Sequence, residues 1–443
     1  MKKDEKNSDI QNGGEVSWPS ATMENIHPAD AADHLEQLPV EEQVRVLKTY
    51  AIDDAAETIT EMERHDRVEL MTHLPPEASA DILEVMSPDD AADILIELND
   101  AVRANILRYI EAEDAEVIAD LLKFDPETAG GVMNTEVLVL DQNLTADEAI
   151  SLIRGEVEHF EIPYYAYIVD DKRHLLGVIS LRELILSRPG KVVRDFLQDQ
   201  NLIYVTYEVD KEVVAKLISR YNFLALPVVD HEQRILGVVT VDDVIDIIHE
   251  EASEDMQSMV GAGSDETVDS PWTYSLKKRT PWLIINLLNS AVSAWVVAMF
   301  EGTIAQMAIL AALMPVVANQ AGNTGHQALA VMIRQMAMER FDRKKMWFAV
   351  LREAKIGLVT GLIISLPVFV AFMIITANAA LSGVLALAMG ADMLLGAVLG
   401  ASIPLLLKAM GRDPAQASSI FLTSITDAAG FFILLGTAGL VLL

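Results

Sequence analysis

From about residue 282 to the C-terminus the chain is a succession of apolar segments, each long enough to cross a bilayer. Hydrocarbon offers backbone amides and carbonyls no partner, so such a region can only be a helix bundle or a closed barrel, and segments of this length call for helices. Five segments can be delimited, at roughly 282–300, 303–333, 347–377, 384–408 and 416–443. Two of them carry polar stretches at bilayer depth: Met314-Pro-Val-Val-Ala-Asn-Gln-Ala-Gly-Asn-Thr-Gly-His-Gln327 in the second and Ser424-Ile-Thr-Asp-Ala-Ala-Gly430 in the fifth. A charged side chain at that depth costs about 2.5–3.5 kcal/mol, and Asp427 has no Lys, Arg or His in its own segment to neutralise it. Pro315 ahead of a Gly/Asn/Thr-rich stretch predicts a break in the second helix, its freed carbonyls facing protein or a water-filled path. Two readings stay open for this stretch. Asn319, Asn323 and Gln327 bond neighbouring helices while the small residues pack them closely, or Pro315, Asn319, Asn323, Gly325 and Asp427 line a route for cations.

Charge is distributed unevenly. Of 33 Lys/Arg and 66 Asp/Glu, 12 and 7 lie from Thr273 onward, which leaves 21 and 59 before it. An acidic surface of that strength repels phosphates and excludes nucleic acid as a partner, whereas inorganic cations suit it. The chain has no cysteine, so disulfides, thiolate metal sites and cysteine nucleophiles are ruled out. The Lys/Asp/Asn-rich start lacks an apolar core; residues 1–24 are expected to be a disordered tail rather than a signal peptide.

Two internal repeats follow. Asp30-Ala-Ala-Asp, Asp54-Ala-Ala-Glu, Asp90-Ala-Ala-Asp and Asp114-Ala-Glu-Val each open an apolar stripe of helical spacing, at offsets of 24, 36 and 24 residues, all multiples of 12. Short helices stacked into a superhelix are expected, since no single unit can bury its stripe alone. Acidic residues at helix starts ordinarily serve the helix dipole. In the second repeat, Ala166-Tyr-Ile-Val-Asp…Leu-Gly-Val-Ile-Ser180 realigns on Ala225-Leu-Pro-Val-Val-Asp…Leu-Gly-Val-Val-Thr240 at an offset of 60. Strand, turn, strand and helix are predicted in both copies, with Ser180 and Thr240 at the helix starts. This pattern resembles a tandem pair of CBS domains. That resemblance implies an adenine-nucleotide site, possible for ATP, in which Thr240 and Asp243 hold the ribose.

The second copy runs into Asp242-Asp-Val-Ile-Asp-Ile-Ile-His-Glu-Glu-Ala-Ser-Glu-Asp255, where acidic residues recur three and four apart on a helix. Like charges at that spacing want a cation among them, or else form a solvated face. Basic residues gather after the second and fourth apolar segments, while the links 301–302 and 378–383 have none. The positive-inside rule then places the N-terminal domains in the cytoplasm and the C-terminus outside a cell membrane crossed several times.

Taken together these features resemble the MgtE family of magnesium channels. Its specific marks here are Thr128-Ala-Gly-Gly-Val-Met133, Gly322-Asn-Thr-Gly-His-Gln327 and Ser424-Ile-Thr-Asp-Ala-Ala-Gly430. The expected fold is a multidomain membrane protein: an all-α N-terminal superhelix (25–134), α/β tandem CBS domains (135–252), a connector or plug helix (253–279) and a five-helix transmembrane domain (280–443). The resemblance implies a homodimer in lipid with its pore on the two-fold axis, Asp427 as the ion-binding carboxylate and the Asn323 region as its oxygen-rich neighbour. It also implies that Mg2+ held between the cytosolic domains closes the path. Asp90, Asp93, Asp243, Asp246, Glu251, Glu254 and Asp255 are the expected regulatory ligands. His326, Ser419 and Asn222 depart from the family pattern, and Asp392 has no assigned role.

Mg2+ sheds water reluctantly, so one or two carboxylates with carbonyls suit it. A transporter of cobalt, manganese or nickel is the nearest rival, although softer metals favour Cys, His and Met ligands. A membrane-tethered nucleotide sensor that conducts nothing is the second. An enzyme is not expected, because no nucleophile and base pairing, P-loop or His-rich metal motif occurs.

Overall fold

The computed structural model describes residues 26–156, 164–188, 190–197, 202–268, 270–338 and 342–443. The tail expected over 1–24 lies outside them. The chain forms two compact units, Met1–Val244 and Ile245–Leu443.

The first unit opens with short helices: α1 (Pro28–Glu36), α2 (Val40–Leu47), α3 (Ile52–Thr60), α4 (Arg64–His73), α5 (Pro76–Leu83), α6 (Pro88–Glu97), α7 (Asp100–Ile106) and α8 (Ala112–Leu121). The four repeats predicted from sequence are α1, α3, α6 and α8, with Asp30, Asp54, Asp90 and Asp114 in their first turns. Helices pack on the next but one, α1 on α3, α2 on α4, α4 on α6, α6 on α8. This is how units too short to bury their own stripes, such as Leu35 of α1 and Ile59 of α3, share a core. Arg67 of α4 clamps Glu97 of α6 with two bonds, Nη2 to Oε1 at 2.7 Å and Nε to Oε2 at 3.1 Å.

Two small sheets follow. The first holds β1 (Val139–Asp141), β2 (Tyr165–Val169) and β3 (Leu175–Ser180); the second holds β4 (Val205–Thr206), β5 (Ala225–Val229) and β6 (Ile235–Thr240). In each, the first pair is parallel and the second antiparallel. β5 and β6 stand 60 residues after β2 and β3, as the repeat predicts. The accompanying helices are α9 (Ala146–Glu156), α10 (Leu181–Ile185) and α11 (Lys211–Tyr221). Ser180 closes a capping box with Glu183 at the start of α10. Asn222 ends α11 at φ +53°, a left-handed position that asparagine tolerates. The Thr128–Met133 motif is bonded to the second copy: the amides of Ala129 and Gly130 donate to the Val209 and Tyr207 carbonyls. Gly237 on β6 keeps room for that segment, since a Cβ there would stand 2.6 Å from the Asn134 oxygen.

Helix α12 (Val241–Met259) begins directly at the end of β6, and a non-helical turn precedes α13 (Trp272–Met299). The remaining helices are α14 (Glu301–Gln306), α15 (Ile309–Met338), α16 (Arg343–Thr376), α17 (Ala379–Ala409) and α18 (Ser418–Val441). Among the described residues four of them, α13, α16, α17 and α18, are long and apolar enough to cross a membrane. α15 has the length, 30 residues, but its Asn, Gln, Thr and His side chains lower its apolarity. α17 is the centre of the bundle, packed by α15, α16 and α18. α13 and α16 turn large apolar side chains such as Leu287, Trp295, Leu362 and Leu366 outward, the surface lipid requires.

The break expected at Pro315 does not occur. α15 is one continuous helix with Pro315 inside it. Gly325 serves close packing rather than a turn, a Cβ there standing 3.0 Å from the Gly396 carbonyl oxygen, and from the other side a Cβ at Gly396 or Gly400 of α17 would overlap the carbonyl oxygens of Ala321 and Gly325. Small residues at such a crossing hold membrane helices together by bringing backbones into contact.

Candidate ion path and acidic cluster

In the second unit, α15 and α18 meet where Gly325 faces Leu422; a Cβ at Gly325 would stand 2.9 Å from the Leu422 Cδ1. Around the rest of α15, Pro315, Asn319, Asn323 and Gln327 form an exposed line at spacings of four, while Gly322 and Gly325 are buried. A line of amides on the outer face of a helix between apolar neighbours needs polar company, from water or a second protein surface. Asp427 lies half-buried in α18, and Thr426 beside it is fully buried with its hydroxyl donating to the Leu422 carbonyl. Gly325 therefore acts as a packing residue, and Asn319 and Asn323 as the open polar face.

Ser419 is accounted for by a bond that its sequence position did not foretell. Its hydroxyl donates to the Met259 carbonyl at 2.6 Å, and the Ala417 amide donates to the Ser258 carbonyl at 2.8 Å. The C-terminal end of α12 is thus tied to the first turn of α18.

The first unit contains an acidic cluster. Asp243, half-buried at the start of α12, accepts a 2.6 Å bond from the Thr240 hydroxyl. Its pKa is pushed up to about 8, first by burial and then by the charge of Asp89, with Asp242 and Asp90 adding to it against the Thr240 bond. Asp90, half-buried and accepting a 2.8 Å bond from Ser87, is raised as well, again chiefly by burial. Carboxylates crowded this way hold protons unless a cation replaces them. The structure brings Asp90 near Asp243, two of the residues named as expected regulatory ligands. It adds Asp89 and Asp242, which that reading missed although each is the immediate neighbour of a chosen residue. Asp93 of α6 and Asp246 of α12 are exposed, and Glu251, Glu254 and Asp255 occupy the second half of α12, half-buried. Thr240 and Asp243, the pair expected to hold a ribose, are hydrogen-bonded to each other, and Asp243 also belongs to the acidic cluster.

Comparison with known proteins covers both units. Family models match for the MgtE intracellular N domain (residues 26–127), for CBS domains (129–189 and 193–250) and for MgtE, described as a divalent cation transporter (314–437). The chain is 35% identical over 329 residues to the magnesium transporter MgtE of Enterococcus faecalis, spanning 74% of this chain and 72% of that one. It is 31% identical over 425 residues to the magnesium transporter MgtE of Bacillus subtilis, spanning 96% of this chain and 94% of that one. A solved cytosolic domain of the Mg2+ channel MgtE in complex with ATP is 33% identical, with a TM-score of 0.49 over 51% of this chain and 91% of that one. With one relative above 30% identity matched along nearly its whole length, this chain belongs to the MgtE family of divalent cation transporters.

Proposed function

We propose that this chain carries Mg2+ across the cell membrane into the cytoplasm and is inhibited by cytosolic Mg2+. The observation that carries the reading is Asp427, a carboxylate in an apolar helix, beside a helix whose exposed line is Asn319, Asn323 and Gln327. Two copies set with these lines facing each other give the amides polar company and put two Asp427 carboxylates around a hydrated divalent ion. A homodimer follows from that arrangement. One or two carboxylates with retained water is how Mg2+ is held outside dedicated cages. The oxygen and amide donors disfavour the softer metals. Nothing in this account requires catalysis.

Regulation is assigned to Asp89, Asp90, Asp242 and Asp243, with Asp93, Asp246, Glu251, Glu254 and Asp255 as further anionic positions. Cations entering the cluster displace protons and relieve repulsion at the start of α12, and the far end of that helix is bonded to the first turn of α18. The ligand thereby favours one of two conformations, which is negative feedback. ATP, held by its ribose at Thr240 and Asp243, shares a carboxylate with this site and is expected to alter its cation affinity. The N-terminal domains face the cytoplasm and the C-terminus the outside.

The test is Mg2+ flux into proteoliposomes that contain only this chain. Asp427→Ala should abolish flux and leave the dimer and its thermal stability intact. Normal flux through that variant refutes the path.

A further inference from the structure

A second acid lies on the α17–α18 seam. Asp392, mid-way along α17, is 0% exposed, and neither Oδ1 nor Oδ2 has a hydrogen-bond partner. Its Oδ2 occupies the space beside Gly430 that a Cβ on that residue would need. Gly430 is three residues past Asp427, so both belong to one face of α18. Asp427 is near enough for its charge to act on Asp392. No Lys or Arg offers itself along the seam: α18 has none, α17 has none before Lys408, α16 none after Lys355, α13 none after Arg279 and α15 none before Arg334, its one other basic residue being His326. A buried carboxylate with neither hydrogen bond nor counter-charge is strongly unfavourable. A second carboxylate nearby makes it more so, and a divalent cation reverses the sign of both effects.

We propose that Asp392 and Asp427 of a single chain form a divalent-cation site inside the bundle, Asp392 being the inner carboxylate and Gly430 the residue whose missing side chain leaves room for it. The proposal rests on the reading of Asp427 as a path residue and adds a stopping point behind it. Two carboxylates and retained waters are a suitable set for Mg2+.

Flux against Mg2+ concentration, in proteoliposomes of the full chain, tests it. Asp392→Asn keeps the shape and removes the charge, and Asp392→Ser is smaller and cannot clash. Both should raise the half-saturating Mg2+ concentration about tenfold or more, the scale of losing a metal-supporting group. If Asp392 is instead a protonated structural acid, Asp392→Asn reproduces it, half-saturation stays where it was, and the proposal falls. Unchanged half-saturation in Asp392→Asn combined with lost flux in Asp427→Ala overturns this site alone; normal flux in Asp427→Ala overturns the path reading too. A measurement free of variants uses Mn2+ as an anomalous scatterer in crystals of the wild-type chain. A peak within ligand reach of Asp392 supports the site, and a peak confined to Asp427 overturns it.

Discussion

Replacing Gly400 by alanine tests the packing that holds the polar face of α15 in place. The added Cβ would overlap the Gly325 carbonyl oxygen and stand 2.9 Å from the Gly325 carbonyl carbon and 3.1 Å from the Ala328 methyl. Non-bonded carbons rest at about 3.5–4.0 Å, so α15 and α17 must separate by roughly 0.5–1 Å. Leu422 of α18, fully buried, closes in on Gly325 as well, so α15 has little freedom to adjust. Overpacking of this kind costs about 1–3 kcal/mol, a factor of about 5 to 150 in the folding equilibrium. Gly383→Ala is the matched control on the same helix, because nothing lies within 4 Å of its added Cβ. There alanine gains up to about 1 kcal/mol of helix propensity over glycine. The two substitutions are therefore chemically identical and expected to act with opposite sign. Thermal survival of the detergent-solubilised full chain, followed by size-exclusion chromatography, reads the stability, and proteoliposome flux reads the consequence for the path. Gly400→Ala should melt earlier and carry less Mg2+; Gly383→Ala should melt at or above the wild-type temperature. Equal melting of Gly400→Ala and wild type would falsify the close crossing of α15 and α17.

Three further expectations concern the first unit and the end of α12. The folded pKa of Asp243 is raised to about 8 from the usual carboxylate range near 3.9. The stability tied to its protonated form is complete below that range and lost as pH climbs through about 8. In chelator-containing buffer the full chain should lose stability between about pH 4 and about pH 8 by circular dichroism melts and level off above, Asp243→Asn should flatten that slope, and an unchanged slope in the variant would remove Asp243 as its source. Ser419→Ala deletes the bond to the Met259 carbonyl, worth about 0.5–1.5 kcal/mol; flux should persist with weaker inhibition by cytosolic Mg2+, and unaltered inhibition would sever α12 from gating. Arg67→Ala leaves the mostly buried Glu97 without the guanidinium that clamps it, Arg64 being a longer and more exposed neighbour. A loss of up to about 3–5 kcal/mol is expected, visible as an earlier melt that Arg67→Ala/Glu97→Leu partly restores.

Local rules were enough for much of this protein. A period of 12 with Asp at each start specified short helices, because helix dipoles and apolar stripes are properties of neighbouring residues, and α1, α3, α6 and α8 occur there. An offset of 60 between two copies of strand, turn and strand specified β2–β3 and β5–β6 for the same reason. Asp427 could be singled out from hydropathy alone, since a charge in an apolar run is a local anomaly. What sequence could not decide were matters of distance between segments far apart in the chain. Pro315 and its glycines read as a break, yet α15 stays helical, because Gly396 and Gly400 receive its backbone at a crossing that only the packed bundle defines. Asp89 and Asp242 joined Asp90 and Asp243 through the approach of two elements about 150 residues apart in sequence. Asp392 was visible as a letter and opaque as a group: its burial, its unsatisfied oxygens and its seat beside Gly430 come from helix-against-helix geometry, which short-range spacing does not encode.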